Sequence, residues 1–430
     1  MVQTVLYPEK NTWEALCQRP QLSVADLENL TRQIFDEISK KGDDAVKKYT
    51  GFFDGVIPEN LQLTEKEVIE GAVKVSPELK EAIQLAKANI EAFHAIQKEQ
   101  KKSVETMPGV SCWRENRAID KVGIYIPGGS APLFSTVLML AIPAKIAGCN
   151  EIVLCTPPDK KGNVNSAILY AAQLTGITKI YRVGGIQAIG AMALGTETIP
   201  KTYKIFGPGN QYVTAAKQTA LSYGVAIDLP AGPSELLVIA DNTANPEYVA
   251  ADLLSQAEHG SDSQVILLSD NEEIISKTIK ALVKQVNTLP RKEIALKALY
   301  NSKAILLTDL AECIAFSNLY APEHLIISSD NAENYIDDVT NVGSVFLGNY
   351  SCESAGDYAS GTNHTLPTNG YATSYSGVSV DSFIKKITFQ KITKQGLQNI
   401  GPAIEVMAAA EQLEAHKNAV SIRLKDIGNE

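Results

Sequence analysis

Histidine is the scarcest candidate for chemistry in this chain: five occur among 430 residues, and four stand beside acids or amides in short motifs. His259 closes Gln256-Ala-Glu-His259, and His324 closes Ala321-Pro-Glu-His324. His364 ends Gly356-Asp-Tyr-Ala-Ser-Gly-Thr-Asn-His364, and His416 follows Glu411 in Glu411-Gln-Leu-Glu-Ala-His416. Imidazole beside carboxylate supplies both metal ligation and proton transfer near neutral pH. This company points to an enzyme.

Spacing sorts the motifs. Residues 246–258 read as a helix, and Gln256 and His259 at i,i+3 share one of its faces, as a chelating pair needs. Glu258 is the more conventional ligand by type but is turned by about 100° from His259. Taken alone, the motif also reads as a capping or surface histidine before Gly260. Glu323 and His324 enter a strand, where neighbours face opposite sides, so an undistorted strand aims only one of them at a site. The loop from Gly356 to His364 is polar and hinged by glycine, a composition that tends to carry function. Glu411 and His416 read as one helix with an apolar stripe, on which they diverge by about 140°; by itself that pair is a solvated face. Together, Gln, His, Asp and a second His could fill a zinc site with N and O ligands, leaving a Glu and a His for acid–base work.

These motifs need elements to hold them. Ser23 is a good N-cap for a helix ending near Gly42, and a second helical pattern covers 65–102 with a break near Pro77. Short apolar runs at 122–126, 151–155, 179–183 and 204–206 alternate with helical segments. A second series follows at 235–240, 264–269, 304–308, 324–329 and 344–347. Val- and Ile-rich runs spaced by helix-length segments predict parallel sheets, hence two α/β units. From Phe383 onward the pattern reads as mostly helical, a tail too short to fold alone. No fixed-period repeat is visible.

Four glycine loops border the predicted strands: Pro127-Gly-Gly-Ser130, Val183-Gly-Gly185, Gly207-Pro-Gly-Asn210 and Ala231-Gly-Pro-Ser-Glu235. Glycine at such places lets a ligand approach the backbone, and a following helix start offers N–H groups to phosphate. Gly207-Pro-Gly209 lacks the third glycine of the usual dinucleotide fingerprint. Any one loop is adequately explained as a tight turn; four of them favour a nucleotide site and weigh against a zinc hydrolase.

Bulk properties exclude several classes. A formal net charge of −10 without a Lys/Arg block argues against nucleic-acid and anionic-membrane partners. The six cysteines form no Cys-x-x-Cys pair, which suits reduced thiols. The N-terminus lacks the basic start and apolar core of a signal peptide, and the apolar run at 137–144 is far short of a membrane span. A soluble cytoplasmic protein is expected.

Over nearly its whole length, from about Leu22 to Arg423, the chain resembles the histidinol dehydrogenase family. The resemblance rests on long strings: Gly123-Ile-Tyr-Ile-Pro-Gly-Gly-Ser-Ala-Pro-Leu-Phe-Ser-Thr136, Phe206-Gly-Pro-Gly-Asn210, Leu229-Pro-Ala-Gly-Pro-Ser-Glu235, Leu254-Ser-Gln-Ala-Glu-His-Gly260, Ala321-Pro-Glu-His-Leu325, the loop 356–364 and Ala410-Glu-Gln-Leu-Glu-Ala-His-Lys-Asn-Ala-Val420. It implies oxidation of L-histidinol to L-histidine through the aldehyde, with two NAD⁺ reduced. It implies one zinc per subunit, held by Gln256, His259, Asp357 and His416, which decides for Gln256 over Glu258. His324 would be the base of the first oxidation and Glu323 would activate water for the second. Ser234, His364 and Glu411 would contact substrate beside the metal ligands and His324, while Tyr125, Gln187 and Asn210 would contact the cofactor. The implied fold has two incomplete Rossmann-like domains in a homodimer. These are 23–121 with 236–380, carrying the metal and catalytic motifs, and 122–235 on the cofactor side. An N-terminal extension covers 1–22, and a helical tail, 381–430, completes the partner's site. Cys352 stands where the family pattern leads us to expect proline; a buried, inert thiol is the expectation there.

Overall fold

A computed structural model of the chain describes residues 2–20, 25–128, 132–230 and 232–428. Ser23, Gly129, Ser130 and Ala231, all named above, lie outside them. The first long helix spans Ala25–Lys41, and the interrupted pattern after it becomes helices Glu65–Val73 and Pro77–Ala95. Thr64 and Ser76 cap these two, each accepting a first-turn N–H. Pro77 takes the first turn, where a missing N–H costs no hydrogen bond.

In chain order the strands are β1 (Gln3–Leu6), β2 (Ser103–Met107), β3 (Val110–Ala118), β4 (Lys121–Tyr125) and β5 (Glu151–Thr156). There follow β6 (Lys179–Arg182), β7 (Lys204–Phe206), β8 (Ala226–Ile227), β9 (Glu235–Ala240) and β10 (Gln264–Ser269). The last are β11 (Lys303–Leu306), β12 (His324–Ser328), β13 (Ser344–Leu347) and β14 (Ile384–Ile392). The nine strands expected from apolar runs are all present, with ends shifted by a residue or two.

The chain divides into two compact units, residues 1–97 with 119–383 and residues 98–118 with 384–430. The larger unit contains two parallel sheets. One has the order β6-β5-β4-β7-β8, the other β1-β11-β10-β9-β12-β13. Both start at a middle strand (β4 or β9), step outward twice, then cross back to the other side, the doubly wound order of nucleotide-binding sheets. The second sheet adds β1 on its edge, parallel to β11. Their common winding was invisible to a search for sequence repeats, because strand order is not a sequence period.

β9, β10 and β12 are buried along their whole length, as strands covered on both faces must be. Alternate residues enter different cores. Leu236 and Val238 pack with Val249, Leu253 and Leu254 from helix Pro246–Ala257. Leu237 and Ile239 pack with Trp13, Phe316 and Tyr320 on the opposite face.

The smaller unit departs from expectation. Residues 384–392, expected within a helical tail, form β14 instead, paired antiparallel with β3 over nine residues. The segment is rich in Ile, Thr and Phe, which suit a pleated surface, and Phe389 stacks on Trp113 with ring centroids 5.6 Å apart. Its three lysines fit a solvated helix equally well. Only the remainder of the tail is helical, at Lys394–Ala410 and Glu414–Gly428.

Candidate active site

Parallel strands place all their amino ends on one edge of a sheet, and the second sheet uses that edge. Glu235 opens β9 and His324 opens β12, with His324 in register with Leu236. Helix Pro246–Ala257 runs back after β9, so Gln256, near its end, returns to the same edge. Open α/β sheets ordinarily bind ligands at carboxyl ends; this site lies at the other end.

The Glu235 backbone organises the centre. Its N–H donates to Glu323 Oε2 at 2.9 Å. Its carbonyl oxygen accepts Gln256 Nε2–H at 3.1 Å and faces His324 Nδ1 at 3.2 Å. A ring nitrogen facing a carbonyl carries the proton, so His324 is fixed as the Nδ1–H tautomer with Nε2 as its free base. That Nε2 is buried, has no hydrogen-bond partner among the described residues, and lies 3.7 Å from Asp357 Oδ1.

The objection that adjacent strand residues diverge is met by a distortion. Glu323 lies just before β12, and Ala321 two residues earlier has a left-handed backbone, φ 52°. The turned entry lets Glu323 and His324 both face Glu235. Burial pushes the Glu323 carboxyl well above its ordinary pKa, and the charges of Glu235, Asp357 and Glu353 add to this. Burial lowers His324, with Asp357 opposing. Both shifts disfavour the charged form, the Glu323 carboxylate and the His324 imidazolium alike.

Asp357 lies on the short helix Glu353–Tyr358. Glu353, one turn earlier, shares its face at i,i+4. Ligand atoms of His324, Glu353 and Asp357 all lie within 4.8 Å of one another. Glu353 is fully buried; one oxygen accepts Ser255 Oγ–H at 2.9 Å and the other has no partner among the described residues. Sequence reading assigned Glu353 no role, although its spacing from Asp357 was the available signal.

Of the four residues expected to hold a metal, Asp357 belongs to this cluster and Gln256 adjoins it, with Nε2 3.2 Å from His324 Nδ1. Gln256 is buried, and its Oε1 is without a partner among the described residues while Nε2 is anchored. His259 is exposed as a residue, yet protein around its ring lowers its pKa; Asp357 acts against this and His364 with it. His416 and Glu411 belong to the smaller unit and are exposed. They do not share one helix as read: Gln412, with φ 60°, separates helices Lys394–Ala410 and Glu414–Gly428, so the angular argument against convergence does not apply.

His364 donates Nδ1–H to the Asp357 carbonyl at 3.0 Å, and its Nε2 meets Thr136 Oγ1 at 3.0 Å, which fixes its tautomer. Ser234 immediately precedes Glu235, and its carbonyl accepts Gln264 N–H at 3.1 Å. His94 is a core residue, bonded to Ile90 O at 2.8 Å within its own helix. Cys352 is exposed at the N-cap position of the helix bearing Asp357, not buried as expected; this turn buries Glu353 and leaves Cys352 on its solvent side.

The cofactor candidates gather at the first sheet. A cavity of about 870 Å³ lies at the carboxyl ends of its strands, lined by Tyr125, Gly128, Gly185, Asn210 and Asp54 among others. Strand order reverses at β4, where a nucleotide crevice is expected. Tyr125 Oη accepts Gly185 N–H at 3.1 Å, and Asn210 caps helix Gln211–Leu221 through Oδ1. Gln187 is fully buried behind the lining, with Nε2 3.4 Å from Asp54 Oδ2 and Oε1 unpartnered among the described residues. Gly207 has φ 128°, and a Cβ there would lie 2.1 Å from Tyr125 O, so the close turn excludes any side chain.

The metal implied by the motifs can be tested against these residues. Beside the proton-transfer candidate His324 stand a buried Gln256 amide oxygen without a partner among the described residues and the Asp357 carboxylate, which also acts on the His259 ring; no cysteine is among them, and such N and O donors suit zinc or a similar divalent ion. The residues fit. A doubly wound sheet with an open crevice, joined in one unit to a buried imidazole–carboxylate centre, defines an oxidoreductase of the nucleotide-linked kind.

Comparison with known proteins narrows the class. The model of the family described as histidinol dehydrogenase matches residues 17–424. The histidinol dehydrogenase of Bacteroides thetaiotaomicron is 58% identical over 427 residues, 99% of this chain and 100% of that protein. That of Salmonella typhimurium is 51% identical over 415 residues, 95% of this chain and 94% of that one. The crystal structure of histidinol dehydrogenase from Elizabethkingia anophelis superposes with a TM-score of 0.98 at 62% identity, covering 99% of each chain. The chain belongs to the histidinol dehydrogenase family. It is an NAD-dependent oxidoreductase of histidine biosynthesis.

Proposed function

We propose that the protein oxidises L-histidinol to L-histidine through the aldehyde, in two successive NAD-linked steps at one zinc-containing site. The observation that carries this reading is the fixed His324 ring: Nδ1–H on the Glu235 carbonyl, Nε2 free and aimed at the Asp357 cluster. His324 Nε2 takes the hydroxyl proton in the first oxidation. Its low pKa keeps it neutral, the state a base requires. Glu323 takes the proton of water in the second. Its carboxyl is held high by burial and three nearby carboxylates, and a neighbouring cation would return it toward the ionised form.

Gln256 through Oε1, His259 and Asp357 hold the metal, with His416 as the fourth ligand; Glu353 braces the cluster. When bound, zinc supplies a Lewis-acid anchor for the substrate imidazole and amine, and NAD⁺ in the first-sheet crevice accepts the hydride. Tyr125 and Asn210 contact that cofactor, and Gln187, buried behind the lining, supports it through Asp54. Ser234 and His364 contact the substrate with the metal ligands and His324. Glu411 and His416 come from a second copy, in a cytoplasmic homodimer whose exposed tails complete each other's sites.

Zinc-loaded protein is expected to release two NADH per histidinol consumed and to lose activity on chelation. One NADH with free aldehyde, or no turnover, would overturn the reading.

A further inference from the structure

The backbone of Glu235 holds both members of the proton-transfer pair, while its carboxylate turns away into protein and has no chemical task. That carboxylate accepts Arg19 Nε–H at 2.5 Å, Arg19 Nη2–H at 3.0 Å and the Asn369 N–H at 2.8 Å. Two parallel N–H···O contacts make this a fork that only a guanidinium provides.

Arg19 also grips the other segment of the site. Its Nη2 donates to Tyr320 O at 2.6 Å and lies 3.4 Å from Ala321 O, and the guanidinium sits 4.0 Å from the Tyr320 ring centroid. Tyr320 is itself held by its hydroxyl, which donates to Gln264 Oε1 at 2.8 Å. Ala321 is the buried, left-handed residue that turns the chain into Glu323. A non-glycine residue keeps that conformation only where its surroundings enforce it. One side chain thus ties the start of β9 to the turn entering β12. These are the two segments whose relative placement sets the Glu235–Glu323 and Glu235–His324 contacts.

We infer that Arg19 is a positioning residue for the Glu323–His324 pair, acting through the Glu235 carboxylate and the left-handed turn at Ala321. The inference rests on the proton-transfer roles proposed above. A loss of the fork would let the two segments slide and loosen both contacts together. Misplacement by about 1 Å can cost roughly 100-fold in rate.

The test compares kcat, KM for histidinol and thermal unfolding in wild type, Arg19→Ala and Arg19→Lys, all zinc-loaded. Arg19→Ala is expected to lose about 10- to 100-fold in kcat with KM nearly unchanged, and sub-denaturing guanidinium ion is expected to recover much of the loss. Arg19→Lys keeps the charge without the fork and is expected to stay impaired; it carries the test if the alanine variant does not fold. A kcat near wild type in either folded variant would overturn the inference alone. So would a loss that merely follows the unfolded fraction and ignores guanidinium. An inactive wild type would overturn the reading of the site first, and this inference with it.

Discussion

The residues proposed to act in catalysis are held by groups with no proposed chemical part of their own. Ser255 donates to Glu353 Oε2, and Asp252, on the same helix, accepts the Glu353 N–H. Burial raises the Asp252 carboxyl to a pKa of about 7. The folded chain therefore keeps a proton that the unfolded chain releases near pH 4. The associated stability is full below about pH 4 and is lost as pH rises through about 7. At about 1.4 kcal/mol per pKa unit, the rise from 3.8 to about 7 amounts to a loss of roughly 4 kcal/mol, which Asp252→Asn should remove. Denaturant unfolding of the metal-free protein at pH 5 and pH 8 should show wild type falling relative to the variant; parallel values would refute it. At this scale the sequence marked His259, His324, Asp357 and His364 by type and company. It could not mark Glu235, whose contribution comes from its backbone, and its hint of Glu353, the i,i+4 spacing from Asp357, gains weight only once the buried helix face is known.

Elements decide how those side chains aim. Gly207 begins the loop that carries Asn210, and its carbonyl accepts Lys217 Nζ at 2.9 Å while its N–H donates to Asp228. Lys217 and Asp228 form a fully buried ion pair beneath the turn. Gly207→Ala must displace Tyr125 O or leave a φ of 128° that alanine disfavours. A cost of about 2 kcal/mol or more is expected, together with weaker binding of NAD⁺. Calorimetric titration with NAD⁺ and a melting curve check both; unchanged affinity in a destabilised variant would separate the loop's structural role from a cofactor role. The same scale explains why residues 384–392 misled. Lysines and isoleucines in that run satisfy either period, and only pairing with β3 selected the strand.

At the scale of the whole molecule, two sheets wound alike serve different ends: the first presents a crevice at its carboxyl edge, the second gathers the candidate active site at its amino edge. The exposed Glu411 and His416 are where a second copy enters the proposal. Mixing inactive Glu323→Gln and His416→Ala chains should yield hybrid dimers with one intact site, restoring up to about a quarter to a half of wild-type activity when sites act independently. Proven subunit exchange with no recovery would count against a shared site. Within the described residues, no helix is long and apolar enough to cross a membrane.

By itself the sequence determined the class of elements, since runs of Val, Ile and Leu bounded by glycine turns have few alternatives to parallel strands. It also carried the motifs that relate the chain to its family, because those residue types are set by local chemistry. Tertiary structure alone decided which edge of the second sheet became the site and which backbone fixes the His324 tautomer. It alone placed Arg19 between β9 and the turn at Ala321. Those outcomes depend on contacts between segments up to 302 residues apart, which no local pattern encodes.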